Sequence, residues 1–279
     1  MIKRSRAWRR FMMNKPAVLS GGILIVLVLL ALLAPLLAPH SPLAMDTNAL
    51  TLSPGESSEY WLGTDDVGRD LLSRLLHGAR LSLGIGFLAV IVSLILGLPL
   101  GLWAGFKGGR TDQAIMRGTD ILMSIPNILL AIVVVAVLGP GVTNTVFAVS
   151  LVSLPQLIRV VRGVVLVEKE KLYIQAARSF GANSKTLVFS HLLPNCLAPL
   201  IIQATLGFSD AILNAAALGF LGLGAQPPMP EWGVMLADAR PYIESAWWLV
   251  TLPGICILMA SLCFNLLGDG LRDAFDPRL

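Results

Sequence analysis

Six long stretches of apolar residues follow one another along the chain, separated by shorter polar segments. A helix needs about 20 mainly apolar residues to cross the hydrocarbon core of a bilayer, and each stretch is close to that length or longer. We predict spans at residues 17–38, 81–106, 112–138, 142–160, 197–221 and 247–267, with the apolar part of the third beginning at Ile121. The pattern predicts an all-α membrane protein with six transmembrane helices.

Composition supports this fold class and argues against an ordinary soluble domain. Of the 279 residues, 55% are hydrophobic and only 14% are charged, whereas soluble domains carry about 25% charged residues. Cys196, Cys256 and Cys263 lie in or beside apolar runs, and the three histidines are scattered. We therefore expect cysteines that act as small buried hydrophobes, and no metal site.

The first 16 residues hold six Lys and Arg side chains and no acid. A nucleic-acid-binding arm has this composition, but the apolar stretch at 17–38 follows at once, which favours a cytoplasmic membrane flank. A cleaved signal peptide has an apolar region of about 7–15 residues, whereas this stretch has 22. We expect an uncleaved membrane anchor and no nucleic-acid partner.

The charges of the other polar segments predict the orientation of the spans. With the N-terminus inside, segment 39–70 lies outside and carries six acids and one base, and the outer segment 225–246 carries three acids and one base. The inner segment 159–191 carries six bases and two acids. Because inner loops of membrane proteins are the richer in Lys and Arg, we predict that both termini are cytoplasmic.

Polar side chains recur on one face of the third span and on one face of the fifth. The steps between them are three, four or seven residues, which places each set on one side of a helix. Such groups either line a polar pathway or only hydrogen-bond between helices. The third-span set is Gln113, Arg117, Asp120, Ser124 and Asn127, and the fifth-span set is Gln203, Asp210 and Asn214.

Four local expectations follow for the second, third and fifth spans. Arg117 and Asp120 are three residues apart and can pair on one helix, and Pro126 interrupts that helix. Asp210 should face the protein interior or water, because a lone acid in lipid costs a few kcal/mol. Glycines at 97, 101 and 105 have the four-residue spacing that lets two helices approach closely, which we interpret as packing within this chain.

The segment 173–194 predicts a short helix-turn-helix between the fourth and fifth spans. Residues 172–180 look helical, Gly181 is suited to the C-cap, and Asn183 or the serine after it can cap a second short helix. Pro194 and the following asparagine should break that helix before the fifth span. The unit is basic and exposes small side chains, so it is either a docking site for another protein or an interfacial loop without a partner.

This loop resembles the EAA loop of ABC importer permeases. The family pattern Glu-Ala-Ala has its counterpart in Gln-Ala-Ala here, followed by a glycine four residues later and then by a phenylalanine and a proline. Gln in place of Glu keeps the helix and a hydrogen-bonding end, but it removes the negative charge. The resemblance implies an ATPase-coupling role for Gln175, Ala176, Ala177, Arg178, Phe180, Gly181, Phe189 and Pro194.

Three further segments, 62–74, 218–233 and 265–277, resemble permeases of the dipeptide, oligopeptide and nickel group. The resemblance covers almost the whole chain and is greatest to the second permease subunit of the dipeptide type. It implies the type I ABC importer permease fold. The implied division is a cytoplasmic segment 1–16, a first transmembrane helix 17–38, an extracytoplasmic segment 39–80 and a core permease domain 81–279 with its coupling loop at 166–196.

The resemblance also implies a function. The chain would form half of the translocation pathway for dipeptides or short peptides in an ATP-driven importer of the bacterial cytoplasmic membrane. Its implied partners are a homologous second permease, two subunits that bind ATP and Mg, an extracytoplasmic solute-binding protein and membrane lipids. The candidate pathway-lining residues are Arg117, Asp120, Asn127, Gln203, Asp210 and Asn214.

The sequence has no Gly-x-x-x-x-Gly-Lys-Ser/Thr motif, so we expect no ATPase site, catalytic residue or cofactor on this chain. Other functions remain open from the residues alone. Nickel or another small solute is an alternative cargo within the same group. A channel, an ion-coupled transporter, and an intramembrane enzyme built on Asp120 and Asp210 are alternatives of other classes.

Overall fold

The computed structural model describes residues 2–275, with side chains from Trp8 onward, and these residues fold into a bundle of helices. The α-helices are α1 (Ile2–Met13), α2 (Lys15–Leu32), α3 (Ala34–Leu37), α4 (Leu71–Lys107), α5 (Gly109–Met123), α6 (Asn127–Leu138), α7 (Val142–Lys169), α8 (Leu172–Ser179), α9 (Ser184–Thr186), α10 (Leu193–Phe220), α11 (Trp232–Asp238) and α12 (Trp248–Phe275). A π-helical turn, Leu187–Leu192, joins α9 to α10, and a 3-10 turn, Arg240–Tyr242, follows α11.

Five helices in the described chain are long and apolar enough to cross a membrane, namely α2, α4, α7, the continuous α9–α10 unit and α12. The pair α5 and α6 makes a sixth when it is taken as one broken span. The predicted all-α membrane fold is therefore confirmed. The third span, however, is not one straight helix, because α5 and α6 meet at 93° across residues 124–126.

The bend follows from Pro126. Proline has no N–H to donate, and its ring disfavours helical geometry at the preceding residue, Ile125. Consequently α5 ends at Met123 and α6 restarts at Asn127. The predicted polar stripe is divided, with four of its members on or next to α5 and Asn127 at the start of α6.

Helices α4 and α7 pack closely along a row of glycines. A Cβ added to Gly101 would lie 2.6 Å from the Cβ of Val161, and one added to Gly105 would lie 2.7 Å from the Cβ of Val165. Gly97 faces Leu157 in the same way, at 2.8 Å. The four-residue glycine spacing therefore serves packing within this chain, as the sequence predicts.

The bundle has two ends, which we call the cap end and the loop end. At the cap end α4 begins beside segment 39–70 and α11, where Nε1 of Trp232 donates to the carbonyl of Leu75 at 3.1 Å. At the loop end α4 finishes beside the end of α7 and α8. The start of α2 meets the end of α12 through Ala17 and Gly270, and since α12 begins at the cap end, this contact lies at the loop end.

Buried polar groups organise the cap end. The carboxylate of Asp65 accepts from Nε of Arg69 at 2.6 Å and lies 3.3 Å from Nε of Arg74. Glu231 caps the N-terminus of α11 and accepts hydrogen bonds of 2.9 Å from both the Ser82 hydroxyl and the Val234 N–H. These bonds fasten segment 39–70 and α11 to the first turns of α4.

Candidate functional site

Helix α8 follows directly after the long helix α7 and ends in a Schellman motif. The N–H of Gly181 donates to the carbonyl of Arg178, and the N–H of Ala182 donates to the carbonyl of Ala177, each at 3.0 Å. Gly181 has φ +83°, a conformation that favours glycine. The predicted C-cap is confirmed, and it turns the chain sharply after a helix of eight residues.

The second part of the loop begins as predicted and continues differently. Oδ1 of Asn183 accepts from the N–H of Thr186 at 2.8 Å, so Asn183 is the predicted N-cap. The predicted break at Pro194 and Asn195 is wrong. A π-helical turn places the N–H of Leu193 on the carbonyl of Val188, five residues back, and this wider turn accommodates the proline ring. Helix α10 then continues without interruption.

One face of α8 is attached to the bundle by an apolar side chain. Ile174 is 2% exposed and belongs to a buried cluster with Val165 of α7 and with Leu187 and Leu192 of the π-helical turn. Ala177 packs against the same cluster one helical turn later. The loop is therefore packed onto the ends of α7 and α10.

A polar network ties the same elements together. The buried carboxylate of Glu168, in α7, accepts from Nζ of Lys171 at 2.5 Å and from the hydroxyl of Tyr173 at 2.8 Å. That hydroxyl accepts in turn from Nδ2 of Asn195, in α10, at 3.1 Å. Burial and the hydrogen bond to Glu168 raise the pKa of Tyr173 above its ordinary value, so the phenol remains a donor at neutral pH.

The opposite face of α8 is exposed and apolar. Leu172 is 82% exposed and Phe180 is 91% exposed, one at each end of the helix. The other predicted coupling residues that are exposed are Gln175, Ala176, Arg178, Gly181, Phe189 and Pro194. Exposed apolar groups clustered beside polar ones mark interaction sites. We call the surface formed by Leu172, Phe180 and these six residues the loop surface.

The polar residues of the third span also lie on the surface of the single chain. Gln113, Arg117 and Asp120 are exposed on α5, and Ser124 and Asn127 are exposed at the bend. Arg117 and Asp120 do not pair with each other. Asp120 instead accepts from Nη2 of Arg159, in α7, at 2.6 Å, because the arginine on the neighbouring helix reaches its carboxylate.

A second ion pair joins the same two helices. Nε and Nη2 of Arg162 donate to the two carboxylate oxygens of Asp112, at 2.5 and 2.6 Å. Sequence reasoning missed this pair and assigned no partner to Arg159 or Arg162. The available signal was that Arg159 and Arg162 lie one helical turn apart at the end of a predicted span, where unpaired cations are costly.

The fifth-span residues divide between two environments. Asp210 is exposed, and its own carbonyl accepts from Nδ2 of Asn214 at 2.8 Å. Asp210 therefore does not face the interior of this single chain, because the buried face of α10 is formed by Ser209, Ala211 and Ile212 instead. That it faces a partner protein or water stays a prediction. Gln203 is half-buried and lines a cavity of about 20 Å³ with Ser93 and Ser153.

The His, Cys, Asp and Glu side chains of the described chain form neither a metal-binding group nor a disulfide. Among the described residues, no three His, Cys, Asp or Glu side chains are grouped in a way that would hold a metal ion. All three cysteines are free thiols, two of them buried and one half-buried. The candidate site consists of the exposed loop surface and the polar faces of α5 and α10.

Comparison with known proteins agrees with this arrangement. Residues 97–279 match the family described as the binding-protein-dependent transport system inner membrane component, and residues 4–54 match the N-terminal TM domain of oligopeptide transport permease C. A chain of the MetNI methionine ABC transporter, in an inward-facing conformation, aligns with a TM-score of 0.62 at 20% identity, over 74% of this chain and 98% of that one. The predicted type I ABC importer permease fold is confirmed.

Curated relatives align over nearly the full length. The chain is 54% identical to the di/tripeptide transport system permease protein DppC of Pseudomonas aeruginosa, over 98% of this chain and 91% of that one. It is 51% identical to the dipeptide transport system permease protein DppC of Escherichia coli K12, over 98% of this chain and 92% of the relative. The chain therefore belongs to the family of inner membrane components of binding-protein-dependent transport systems.

Proposed function

We propose that this chain is the second permease subunit of an ATP-driven importer and forms half of the translocation pathway for dipeptides or short peptides. The observation that carries the proposal is the loop surface, where Leu172 and Phe180 are exposed on a helix packed onto the ends of α7 and α10. The curated relatives, named as dipeptide and di/tripeptide permeases, support the choice of cargo.

The loop surface is suited to receive force from an ATPase subunit. Helix α8 is short and ends in a tight cap, so a partner that binds Leu172 and Phe180 moves it as one body. Ile174 and the Glu168 network then transmit that movement to α7 and α10. In this proposal the two ATP-binding subunits hold ATP and Mg, and the chain itself holds no cofactor.

The proposed orientation places the loop end in the cytoplasm. The basic segment 159–191 and the basic N-terminal segment both belong to that end, which fits the distribution of Lys and Arg in membrane proteins. The acidic segment 39–70 then faces outward with α11, where an extracytoplasmic solute-binding protein delivers the cargo. The contact of Ala17 with Gly270 supports placing both termini on the cytoplasmic side.

The polar faces of α5 and α10, together with Asn127 at the start of α6, are the proposed pathway. Polar and charged side chains that are exposed on a single chain at membrane depth require a protein partner or water. A homologous second permease that covers these faces meets that requirement. The proposed lining residues are Arg117, Asp120, Asn127, Gln203, Asp210 and Asn214.

Reconstitution tests this function. The chain, its second permease, the ATPase subunits and the binding protein are inserted into proteoliposomes, and uptake of a radiolabelled dipeptide is compared with uptake of nickel. We expect dipeptide uptake that requires ATP and the binding protein. Dipeptide flux without ATP would instead indicate a channel, and uptake of nickel alone would overturn the proposed cargo.

A substitution on the loop surface links that activity to the docking role. Phe180→Asp places a charge in the proposed contact and should prevent ATPase binding while the chain stays folded, because Phe180 is almost fully exposed. Ser179→Asp adds the same charge one residue earlier without removing an apolar group. Equal co-purification of the ATPase with both variants would argue against this surface.

A further inference from the structure

An apolar groove of about 650 Å³ lies among α2, α4, α10 and α12, on the opposite side of α10 from Asp210. Its wall includes Phe208, whose ring stacks on that of Phe264 with centroids 4.1 Å apart, and Phe87, at 6.5 Å from Phe208. The few polar groups on its wall include Arg80 and Thr205. This groove has no part in the proposed translocation pathway.

The position of Arg80 relates the groove to the bilayer. The 26 residues between Arg80 and Lys107 contain no charged side chain, and at 1.5 Å per residue the two cations are about 40 Å apart along α4. A bilayer measures about 40–45 Å between its headgroup regions. Arg80 therefore lies at the level of the lipid phosphates, at the charged end of the groove.

The groove continues from that level toward the middle of the membrane. It follows α4 from Arg80 to Leu94, a distance of about 21 Å, which is close to half of the bilayer thickness. Its lining beyond Arg80 is almost entirely apolar. A long apolar groove with a cation at headgroup level matches one acyl chain joined to an anionic phosphate.

Arg80 is available for such a contact. Its side chain is exposed, and within residues 8–275 it forms no ion pair or hydrogen bond. Arg69 and Arg74, the other arginines of the cap end that precede it, are both buried and paired with Asp65. A guanidinium binds phosphate oxygens in a planar, bidentate geometry.

We propose that this groove binds a membrane phospholipid, with the phosphate on Arg80 and an acyl chain against Phe87, Phe208 and Phe264. The bound lipid fills a space among four spans and joins α2 to the core of the bundle. The site is defined by its own lining and does not depend on the cargo of the importer or on the orientation of the chain.

The test uses the full chain co-expressed with its partner subunits and purified in mild detergent. Native mass spectrometry and phosphate analysis then measure the phospholipid that survives extensive detergent washing. Arg80→Gln removes the phosphate contact, and Gly84→Leu fills the groove, because no atom lies within 4 Å of a Cβ added at Gly84. Lys107→Gln and Gly254→Leu are matched controls, since Gly254 is equally open and lies outside the groove.

We expect one retained phospholipid per chain in the wild type and in both controls. Arg80→Gln should weaken retention of phosphatidylglycerol by about tenfold or more, the effect of losing a hydrogen bond to a charged group. Gly84→Leu should abolish retention. Complete loss of lipid from the wild type, or equal retention in all variants, would overturn the proposal. So would cross-linking of Gly84→Cys to a helix of the second permease, which would show that a protein occupies the groove.

Discussion

The hydroxyl of Tyr173 donates a 2.8 Å hydrogen bond to Oε2 of Glu168, which joins the first turn of α8 to the last turn of α7. The same hydroxyl accepts a hydrogen bond of 3.1 Å from Nδ2 of Asn195, in α10. One phenol thus bridges three elements, α7, α8 and α10. In the proposed coupling role, a movement applied to α8 would reach both long helices through this atom and through the packing of Ile174.

Removing that hydroxyl should weaken coupling more than it weakens the fold. Tyr173→Phe deletes a hydrogen bond to a charged group, a loss of about 1.5–3 kcal/mol, while Ile174 still anchors the helix. We expect fewer dipeptides transported per ATP hydrolysed in proteoliposomes. Tyr242→Phe is the control, because its hydroxyl has no hydrogen bond among the described residues. An unchanged transport-to-hydrolysis ratio in Tyr173→Phe would show that the bridge is dispensable.

Gly181 should be sensitive to side chains that do not tolerate left-handed backbone geometry, because its φ is +83°. A leucine there is strained by the φ of +83° although no neighbour lies within 4 Å, and left-handed geometry costs about 1–2 kcal/mol for an L-residue. We expect Gly181→Leu to loosen the cap of α8 and to uncouple ATP hydrolysis from uptake. Gly181→Asn should retain most of the coupling, because asparagine tolerates this conformation. Undiminished transport by the leucine variant would contradict the proposed role of the cap.

The caps of α8 and α9 could be predicted from sequence because each depends on a few adjacent residues. A glycine after an eight-residue helix and an asparagine two residues later specify their own local hydrogen bonds. The spans could be predicted for a similar reason, since about 20 apolar residues have few alternatives to a membrane helix. Local chemistry determines both features.

The contacts between helices could not be predicted in this way. Asp120 has Arg117 one turn away on its own helix, yet it pairs with Arg159, which is 39 residues distant. The 93° bend at residues 124–126 and the exposed position of Asp210 likewise depend on how α5 and α10 pack against their neighbours. At Pro194 the sequence predicts a break, and the π-helical turn avoids it. Spacing along one helix contains no information on these arrangements.

Gly101 should tolerate no larger residue. The added methyl group of Gly101→Ala would lie 2.6 Å from the Cβ of Val161 and 2.9 Å from the carbonyl oxygen of Ile158, so α4 and α7 must separate. Overpacking of this kind costs about 1–3 kcal/mol. Gly163→Ala is the matched control on α7, with no atom within 4 Å of the new Cβ. Thermal unfolding in detergent should show a lowered Tm for Gly101→Ala only, and equal Tm values would refute the close contact.

Glu231 should make the stability of the cap end depend on pH. Burial raises its pKa above the ordinary value of 4.5, against the opposing effect of its hydrogen bonds. The folded chain therefore holds this proton more tightly than the unfolded chain. The stabilisation is fully present below pH 4.5 and is lost as the pH rises through the folded-state pKa.

Thermal unfolding between pH 5 and pH 8 measures this effect. We expect the Tm of the wild type to fall with rising pH, and Glu231→Gln to flatten that dependence because the amide does not titrate. Glu244→Gln, at an exposed position after α11, should leave the slope unchanged. A wild-type slope that persists in Glu231→Gln would assign the effect to another group.

The two ion pairs between α5 and α7 should contribute unequally to stability. The side chains of Asp112 and Arg162 are 16% and 30% exposed, and they form two parallel hydrogen bonds. The side chains of Asp120 and Arg159 are 60% and 45% exposed, and they form one hydrogen bond. Exposed pairs contribute about 0–1 kcal/mol, while truncating one partner of a well-buried pair costs about 3–5 kcal/mol. We expect Asp112→Asn to lower the unfolding free energy of the isolated chain in detergent by about 1–3 kcal/mol, since the pair is only partly buried, and Asp120→Asn by less than about 1 kcal/mol. A double-mutant cycle with Arg162→Gln or Arg159→Gln isolates each pair from other effects of the substitutions. A coupling energy for Asp120 and Arg159 equal to that of Asp112 and Arg162 would mean that exposure does not determine the strength of these contacts.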